Sequence, residues 1–208
     1  MLCIVIMIYH YGIIFQCTPI RLLGSVYSYG HLGTYVFFAI SGYLTAYQYK
    51  EKLIYSNDID FKQYFIKKLY ILPLVFVSIC IPFITYASER NVYFFLFNIF
   101  CTWCGFTGDY VVPYNPVSWY ICILLLCYAL FYLIVYLHKR LDIPYRYLCI
   151  LMCVIGLVIM IRKYDIPFLQ YDNGRGYLPF FIGAMVYDIN GMRFNKKNVF
   201  LLFFFKFF

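Results

Sequence analysis

The sequence predicts an all-α fold, a polytopic bundle of transmembrane helices with about seven membrane segments. The chain of 208 residues is 64% hydrophobic and only 12% charged, whereas soluble domains carry about 25% charged residues. Uncharged runs also recur along its length, and they are continuous instead of alternating, which argues against a β-barrel. Lipid offers no hydrogen-bond partners to the backbone, so we expect these runs to cross as helices.

The uncharged runs predict the order of the membrane segments. The first run covers residues 1–20, about the length needed to cross a ~30 Å hydrocarbon core. The others cover residues 32–49, 69–88, 91–108, 110–137, 147–161 and 176–187, and a last run starts at Asn198. We expect the run 91–108 to be re-entrant, because Asn98, Gly105 and Gly108 interrupt it. This arrangement also places more Lys and Arg residues on the cytoplasmic side than strict alternation does.

The run 110–137 has its own start signal. Asn115 followed by Pro116 fits an N-cap and the first helical position, where proline lacks only a donor that would be unpaired anyway. We therefore expect a helix from Pro116 to about Leu137. Trp119 and Tyr120 then lie one turn inside its start, at the depth of an aromatic belt.

The net charge of +8 does not indicate nucleic-acid binding. The Lys and Arg residues lie in short loops between apolar runs, as expected for basic residues that orient a membrane protein. Cys101 and Cys104 form a CxxC pair, but no second pair or histidine completes a metal site. We therefore expect the lipid bilayer as a partner, with no nucleic acid and no bound metal.

His10 is the most informative single residue. It is the only histidine, acid or base in the run 1–20. An ionisable group at mid-depth in a bilayer is costly, which makes it a functional candidate. The alternative interpretation is a histidine that only hydrogen-bonds a neighbouring helix.

Five stretches of the chain carry a resemblance to a known family. They are IVIMIYH, which ends at His10, HLGTYVFFAISGYLTA (31–46), FIKKLYILP (65–73), NPVSWYICILLLCYALFY (115–132) and RGYLPFFIG (175–183). In order and rough spacing they are similar to the motifs of the integral membrane acyltransferases called the acyltransferase 3 family. The resemblance implies one membrane acyltransferase domain over residues 1–208.

The chain also departs from the family pattern. The basic residue that precedes the histidine in the family would fall before Met1. Tyr70 stands where the family commonly has arginine, Cys122 where it has serine, and Leu124 where some members have glutamate. The family usually has more crossings than this chain holds. We therefore expect a domain shortened at both ends, and a non-catalytic truncated remnant is the alternative function.

The resemblance implies an enzyme that transfers an acyl group, commonly acetyl from acetyl-CoA, to a hydroxyl of a sugar or a cell-envelope or exopolysaccharide glycan. The expected place is the inner (cytoplasmic) cell membrane, crossed several times, with acyl-CoA as donor substrate and no bound cofactor. His10 would act as the general base or as a transient acyl carrier, and the sequence leaves both open.

The resemblance also implies roles for other residues. Lys67 and Lys68 would bind the CoA phosphates, although basic residues beside a helix are often topology anchors. Arg175 would bind an anion on the donor or the acceptor side, with snorkelling to the interface as the alternative. Three more residues would line the acceptor site, with helix packing, N-capping and the aromatic belt as their ordinary roles: Ser41, Asn115 and Trp119.

Overall fold

The computed structural model describes residues 24–55, 61–69, 80, 96, 119–164, 166 and 168–190, with side chains of the first range from Leu32 onward. Within these ranges all regular structure is helical, in agreement with the all-α prediction. The helices are α1 (Gly24–Tyr55), α2 (Phe61–Ile66), α3 (Trp119–Leu141), α4 (Tyr145–Arg162) and α5 (Tyr171–Asn190). By length and composition alone, α3 and α4 are suited to cross a membrane.

Several of the predictions concern residues that the structure does not describe. His10 and Asn115 lie outside the described residues, as does the predicted helix start at Pro116. The re-entrant segment 91–108 also lies outside them, apart from Leu96.

Helix α3 extends past the end that the sequence predicts. It continues beyond Leu137 to Leu141 and carries His138, Lys139 and Arg140 in its last turn. Basic side chains are favourable there because the carbonyl end of a helix carries partial negative charge. Asp142 then adopts a left-handed backbone conformation, with φ of 54°, at the turn into α4.

Helix α1 is longer than the uncharged run 32–49 at both ends. It begins at Gly24 and ends at Tyr55, so it includes Lys50, Glu51 and Lys52. Two of these side chains find partners on α5: Lys50 pairs with Asp188, and Glu51 accepts a hydrogen bond from the Tyr187 hydroxyl.

Helices α1 and α3 run in the same direction. Near the start of α3, Phe37 of α1 packs against Tyr120 with ring centroids 5.6 Å apart. Farther along α1, the Tyr49 ring lies 5.1 Å from that of Tyr64. The Tyr64 hydroxyl donates a hydrogen bond to the carbonyl oxygen of Tyr128, two turns farther along α3.

Helix α5 also runs parallel to α1 and packs directly on its backbone. Its early residue Gly176 faces Phe38, and a Cβ at Gly42 would overlap the carbonyl oxygen of Phe180. Reciprocally, a Cβ at Gly183 would overlap the carbonyl oxygen of Ala39. Small residues allow helices to approach this closely, as is common in membranes.

Helix α4 runs opposite to α5 and covers its other side. Gly174 faces Met160 near the end of α4, whereas Arg146 at the start of α4 pairs with Asp188. The other face of α4 is exposed and apolar, with Leu151, Val154, Leu157, Val158 and Ile161. An apolar exposed face of this kind is typical of a helix that faces lipid.

Candidate functional site

The charged side chains of the described bundle lie at two opposite ends. One end joins the last turns of α1 and α5 to the start of α4. The other end joins the starts of α3 and α5 to the early part of α1. Between them the packed core is mostly apolar, including Phe38, Ile123, Phe131 and Phe180, with Thr45 as a buried polar residue.

At the first end, Asp188 of α5 holds together three helices. Its carboxylate pairs with Lys50 of α1 and with Arg146 of α4. The Lys50 ammonium also lies 4.7 Å from the ring centroid of Tyr145. Asp188 was not predicted from the sequence. The signal that could have indicated it is its position as an acidic residue directly after the apolar run 176–187, in a chain with basic residues in two other loops.

Lys68 is enclosed by tyrosine rings near the same end. Lys68 lies just after the end of α2, and its backbone N–H donates to the Phe65 carbonyl oxygen at 2.8 Å. Its Nζ lies 4.6 Å from the ring centroid of Tyr49 and 4.4 Å from that of Tyr128. The Tyr64 ring, at 6.0 Å, completes the tyrosine cage.

The cage changes the chemistry of Lys68. The residue is only 8% exposed, and this burial lowers its pKa to about 8, because removing a cation from water disfavours the charged form. Its neighbour Lys67 is exposed. The two lysines that the sequence suggests as a pair therefore face different surroundings.

At the opposite end, Arg175 lies among three aromatic rings and one carboxylate. Its Nη1 donates to Oδ1 of Asp172 at 2.9 Å. Its Cζ lies 4.7 Å from the ring centroid of Trp119, 5.5 Å from that of Tyr35 and 5.8 Å from that of Tyr171. These five residues are called the arginine cluster below.

The arginine cluster unites two residues that the sequence analysis named separately, Arg175 and Trp119. Asp172, Tyr35 and Tyr171 were not predicted from the sequence. The spacing of Asp172 and Arg175, three residues apart, was a signal, since residues at that spacing are neighbours on a helix. The two tyrosines carried no distinguishing signal among the 25 tyrosines of the chain.

Ser41 lies beside Gly42 at the crossing of α1 and α5 and is half-buried. This position agrees with the packing role that the sequence analysis weighed against lining of the acceptor site. In the part of the chain that the structure describes, no group of three or more His, Cys, Asp or Glu side chains is placed to hold a metal ion.

The comparisons with known proteins give one match. The family model of the acyltransferase 3 family, described as an acyltransferase domain, matches residues 1–208. Neither the curated proteins nor the solved structures include a match to this chain. Because the family model covers the whole sequence, the chain belongs to the acyltransferase 3 family, whose members are generally embedded in the membrane.

Proposed function

We propose that the protein is a multi-pass O-acyltransferase of the inner cell membrane, with about seven membrane segments. It transfers an acyl group, most simply acetyl, from acyl-CoA to a hydroxyl of a sugar or of a cell-envelope or exopolysaccharide glycan. The family supports the reaction class. The observation that carries the proposal is the separation of Lys67 and Lys68 from the arginine cluster, at opposite ends of one bundle.

The directions of the helices support the proposed topology. Two helices that cross a bilayer in the same direction have an odd number of crossings between them. The uncharged runs 69–88 and 91–108 lie between α1 and α3 in the sequence. A re-entrant 91–108 leaves one crossing there and meets this requirement, whereas strict alternation does not. In this topology the ends of α1 and α3 face the cytoplasm, and the arginine cluster faces outward.

The proposed donor site is on the cytoplasmic side. Lys67 is exposed and attracts the phosphates of CoA as a point charge. Lys68 is held inside the tyrosine cage, where it anchors the short segment that carries Lys67 to α1 and α3. We therefore assign direct phosphate contact to Lys67 and a positioning role to Lys68.

His10 supplies the chemistry in this proposal. As general base, its neutral imidazole takes the proton of the acceptor hydroxyl while the oxygen attacks the thioester carbonyl. The carbon–sulfur bond then breaks, and the proton leaves with the CoA thiolate as thiol. As acyl carrier, the imidazole nitrogen attacks the thioester carbonyl and CoA leaves as thiolate; the acceptor hydroxyl then takes the acyl group from the imidazole, and its proton converts the thiolate to the CoA thiol. Both routes give the same products, and no observation on the described residues favours the alternative of a non-catalytic remnant.

Replacement of His10 tests this function. His10→Ala should lower acetyl transfer from labelled acetyl-CoA to glycan by roughly 10²–10⁴-fold, the usual value of a positioned base. The matched control is His31→Ala, a histidine with no proposed part in the reaction. Transfer by His10→Ala at the parent rate, or no transfer by the parent chain to any glycan offered, would refute the proposal.

A further inference from the structure

The arginine cluster presents both a charged donor and a charged acceptor at an open end of the bundle. The Asp172 side chain is 45% exposed and that of Arg175 is 20% exposed. The guanidinium also hydrogen-bonds the Tyr35 side chain. A guanidinium has five N–H donors and a carboxylate has about four acceptor positions, so both groups keep capacity for further hydrogen bonds.

This combination suits two neighbouring hydroxyl groups of one molecule. A hydroxyl group both donates and accepts hydrogen bonds. One hydroxyl can donate to the Asp172 carboxylate while the next accepts from the Arg175 guanidinium, 2.9 Å away in the ion pair. Hydrogen bonds to charged groups are stronger than those between neutral groups, which helps a ligand that competes with water.

Aromatic surface lies beside these polar groups. Tyr171 is 40% exposed, and its ring is within 5.8 Å of Arg175. A sugar ring has a C–H face as well as hydroxyls, and an amphipathic aromatic ring covers such a face while leaving the hydroxyls to polar partners. Trp119 packs against the guanidinium from the α3 side, at 4.7 Å.

Hydrogen bonds fix the segment that carries the cluster. The Tyr177 hydroxyl donates to the Phe168 carbonyl oxygen at 3.0 Å. The Gln170 N–H donates to Oδ1 of Asn173 at 3.3 Å, which joins the preceding loop to the first turn of α5. A binding group that is already held in place loses less entropy when a ligand binds.

The charge balance of the cluster favours an uncharged ligand. Asp172 already supplies a negative charge beside Arg175, so a carboxylate or phosphate on the ligand would meet like-charge repulsion. Lys163, whose Nζ lies 5.7 Å from the Tyr171 ring, is the cation that would favour an acidic sugar instead. Lys163 is exposed and lies in the loop after α4, so solvent screens its charge and it attracts an anion less than the Asp172 carboxylate repels one.

We propose that Asp172, Arg175 and Tyr171, backed by Trp119, form the acceptor subsite and bind an uncharged saccharide through two neighbouring hydroxyls. That the bound saccharide is the acyl acceptor rests on the proposed function. Saccharide binding itself can be measured without any acyl donor. It adds Asp172 and Tyr171 to the residues that select the substrate.

Tryptophan fluorescence provides the test. The chain has two tryptophans, so Trp103→Phe leaves Trp119 as the single reporter. The purified variant is titrated with methyl glycosides of glucose, galactose and rhamnose, with the methyl glycoside of glucuronic acid as the acidic probe and glycerol as a non-sugar control. At least one neutral glycoside should change the fluorescence saturably, and glycerol should not.

Variants then assign the binding to the cluster. In the Trp103→Phe background, Asp172→Asn and Tyr171→Ala should each raise the Kd for that glycoside by about tenfold or more. Asp142→Asn, an exposed aspartate between α3 and α4, is the matched control and should leave the Kd unchanged. Tyr171→Ala is included because this exposed side chain can be removed with little risk to the fold.

Three outcomes would overturn the inference: no saturable change with any neutral glycoside, an unchanged Kd in both cluster variants, or tighter binding of the glucuronide than of the neutral glycosides. Acyl transfer is measured on the same preparations. Saccharide binding without any transfer would refute the proposed function and leave the binding site standing. Transfer that survives Asp172→Asn with an unchanged KM for the acceptor would refute the site and leave the function standing.

Discussion

Two cations of the bundle, Lys68 and Arg175, are both held by aromatic rings, but they differ in chemistry. Arg175 has a carboxylate partner and stays charged at every accessible pH. Lys68 is buried among tyrosines, and its pKa of about 8 lies far below the ~10.4 of a lysine in water. Lys68 is therefore the cation of the two that changes charge under ordinary conditions.

The pKa of Lys68 predicts how stability depends on pH. Between pH 8 and about 10.4 the unfolded chain binds a proton at this lysine that the folded chain has released, so the free energy of unfolding rises with pH in that window. Lys68→Met should remove this rise. The measurement is thermal unfolding of the purified protein from pH 7 to pH 9.5, a range chosen below the titration of ordinary tyrosines.

Lys67→Met is the control for this experiment, because Lys67 is the adjacent lysine and its side chain is exposed. An equal pH dependence in the parent and in Lys68→Met would mean that Lys68 titrates like an exposed lysine. That result would contradict the tyrosine cage.

For single residues, the sequence indicates which side chains carry charge or aromatic rings, but not which neighbours those side chains contact in the fold. Lys67 and Lys68 are equivalent in sequence, and only the direction in which the chain leaves α2 buries one and exposes the other. Arg175 and Trp119 could be named from the sequence because one is a cation beside an apolar run and the other a tryptophan near a helix start; their part in a site stays a prediction. Asp172 was missed because its importance depends on rings from α1 and α3.

Among the elements, α5 is the one on which the described bundle depends. It contacts α1 through backbone at Gly42 and Gly183, and it contacts α4 through Gly156 and Gly174. Gly174 lies between Asp172 and Arg175 in the sequence, whereas the other three glycines are farther from the arginine cluster, so variants at those three report on helix packing.

Gly42→Ala should separate α1 from α5. The added Cβ would overlap the Phe180 carbonyl oxygen, which is backbone and cannot move aside alone. Overpacking of this kind costs about 1–3 kcal/mol, occasionally more. Thermal unfolding should show a clear loss relative to the parent, whereas Leu157→Ala on the exposed face of α4 should have little effect. Equal stability of Gly42→Ala and the parent would contradict the close crossing.

Loss of Asp188 should weaken the end where three helices meet. Asp188→Asn leaves Lys50 and Arg146 without their carboxylate, at a cost between that of an exposed pair and the ~3–5 kcal/mol of a fully buried one. Lys50→Met should destabilise more than Arg146→Met, because the Arg146 side chain is much more exposed. The reverse order in thermal unfolding would show that burial does not set these contributions.

The apolar middle parts of the helices could be predicted from the sequence better than the residues at which the helices begin and end. The uncharged run 147–161 marked α4 within two residues at each end, and the run 110–137 ends four residues before α3 does. Apolar runs are informative because charge is costly inside a bilayer. The charged ends of α1, α3 and α5 were read as loops, yet their side chains pair across helices or favour the helix C-terminus. The short helix α2 was also read as loop, since six residues carry too little periodicity to predict a helix.

At the scale of the whole molecule, α1, α3 and α5 run in the same direction, and the tyrosine cage and the arginine cluster lie at opposite ends of the described bundle. The distribution of Lys and Arg in the sequence predicts a re-entrant segment 91–108, and the common direction of α1 and α3 agrees with that arrangement, which stays a prediction. Loop charge alone does not determine which helices are neighbours.

Cysteine labelling tests the topology. In a variant freed of its native cysteines, Lys139→Cys should react with a membrane-impermeant thiol reagent only from the cytoplasmic side, and Lys163→Cys only from outside. Both positions are exposed; Lys139 lies in the last turn of α3, close to the start of α4, and Lys163 follows the end of α4. Labelling of both from one side, or of Lys139→Cys from outside, would reject the arrangement.

The most direct measurement is acyl transfer across a sealed membrane. Oriented vesicles that contain the protein receive labelled acetyl-CoA on the cytoplasmic side alone and a neutral saccharide on the outer side alone. The account predicts labelled saccharide on the outer side, and its absence in His10→Ala. Transfer only when donor and acceptor share one side, or equal transfer by His10→Ala, would contradict it.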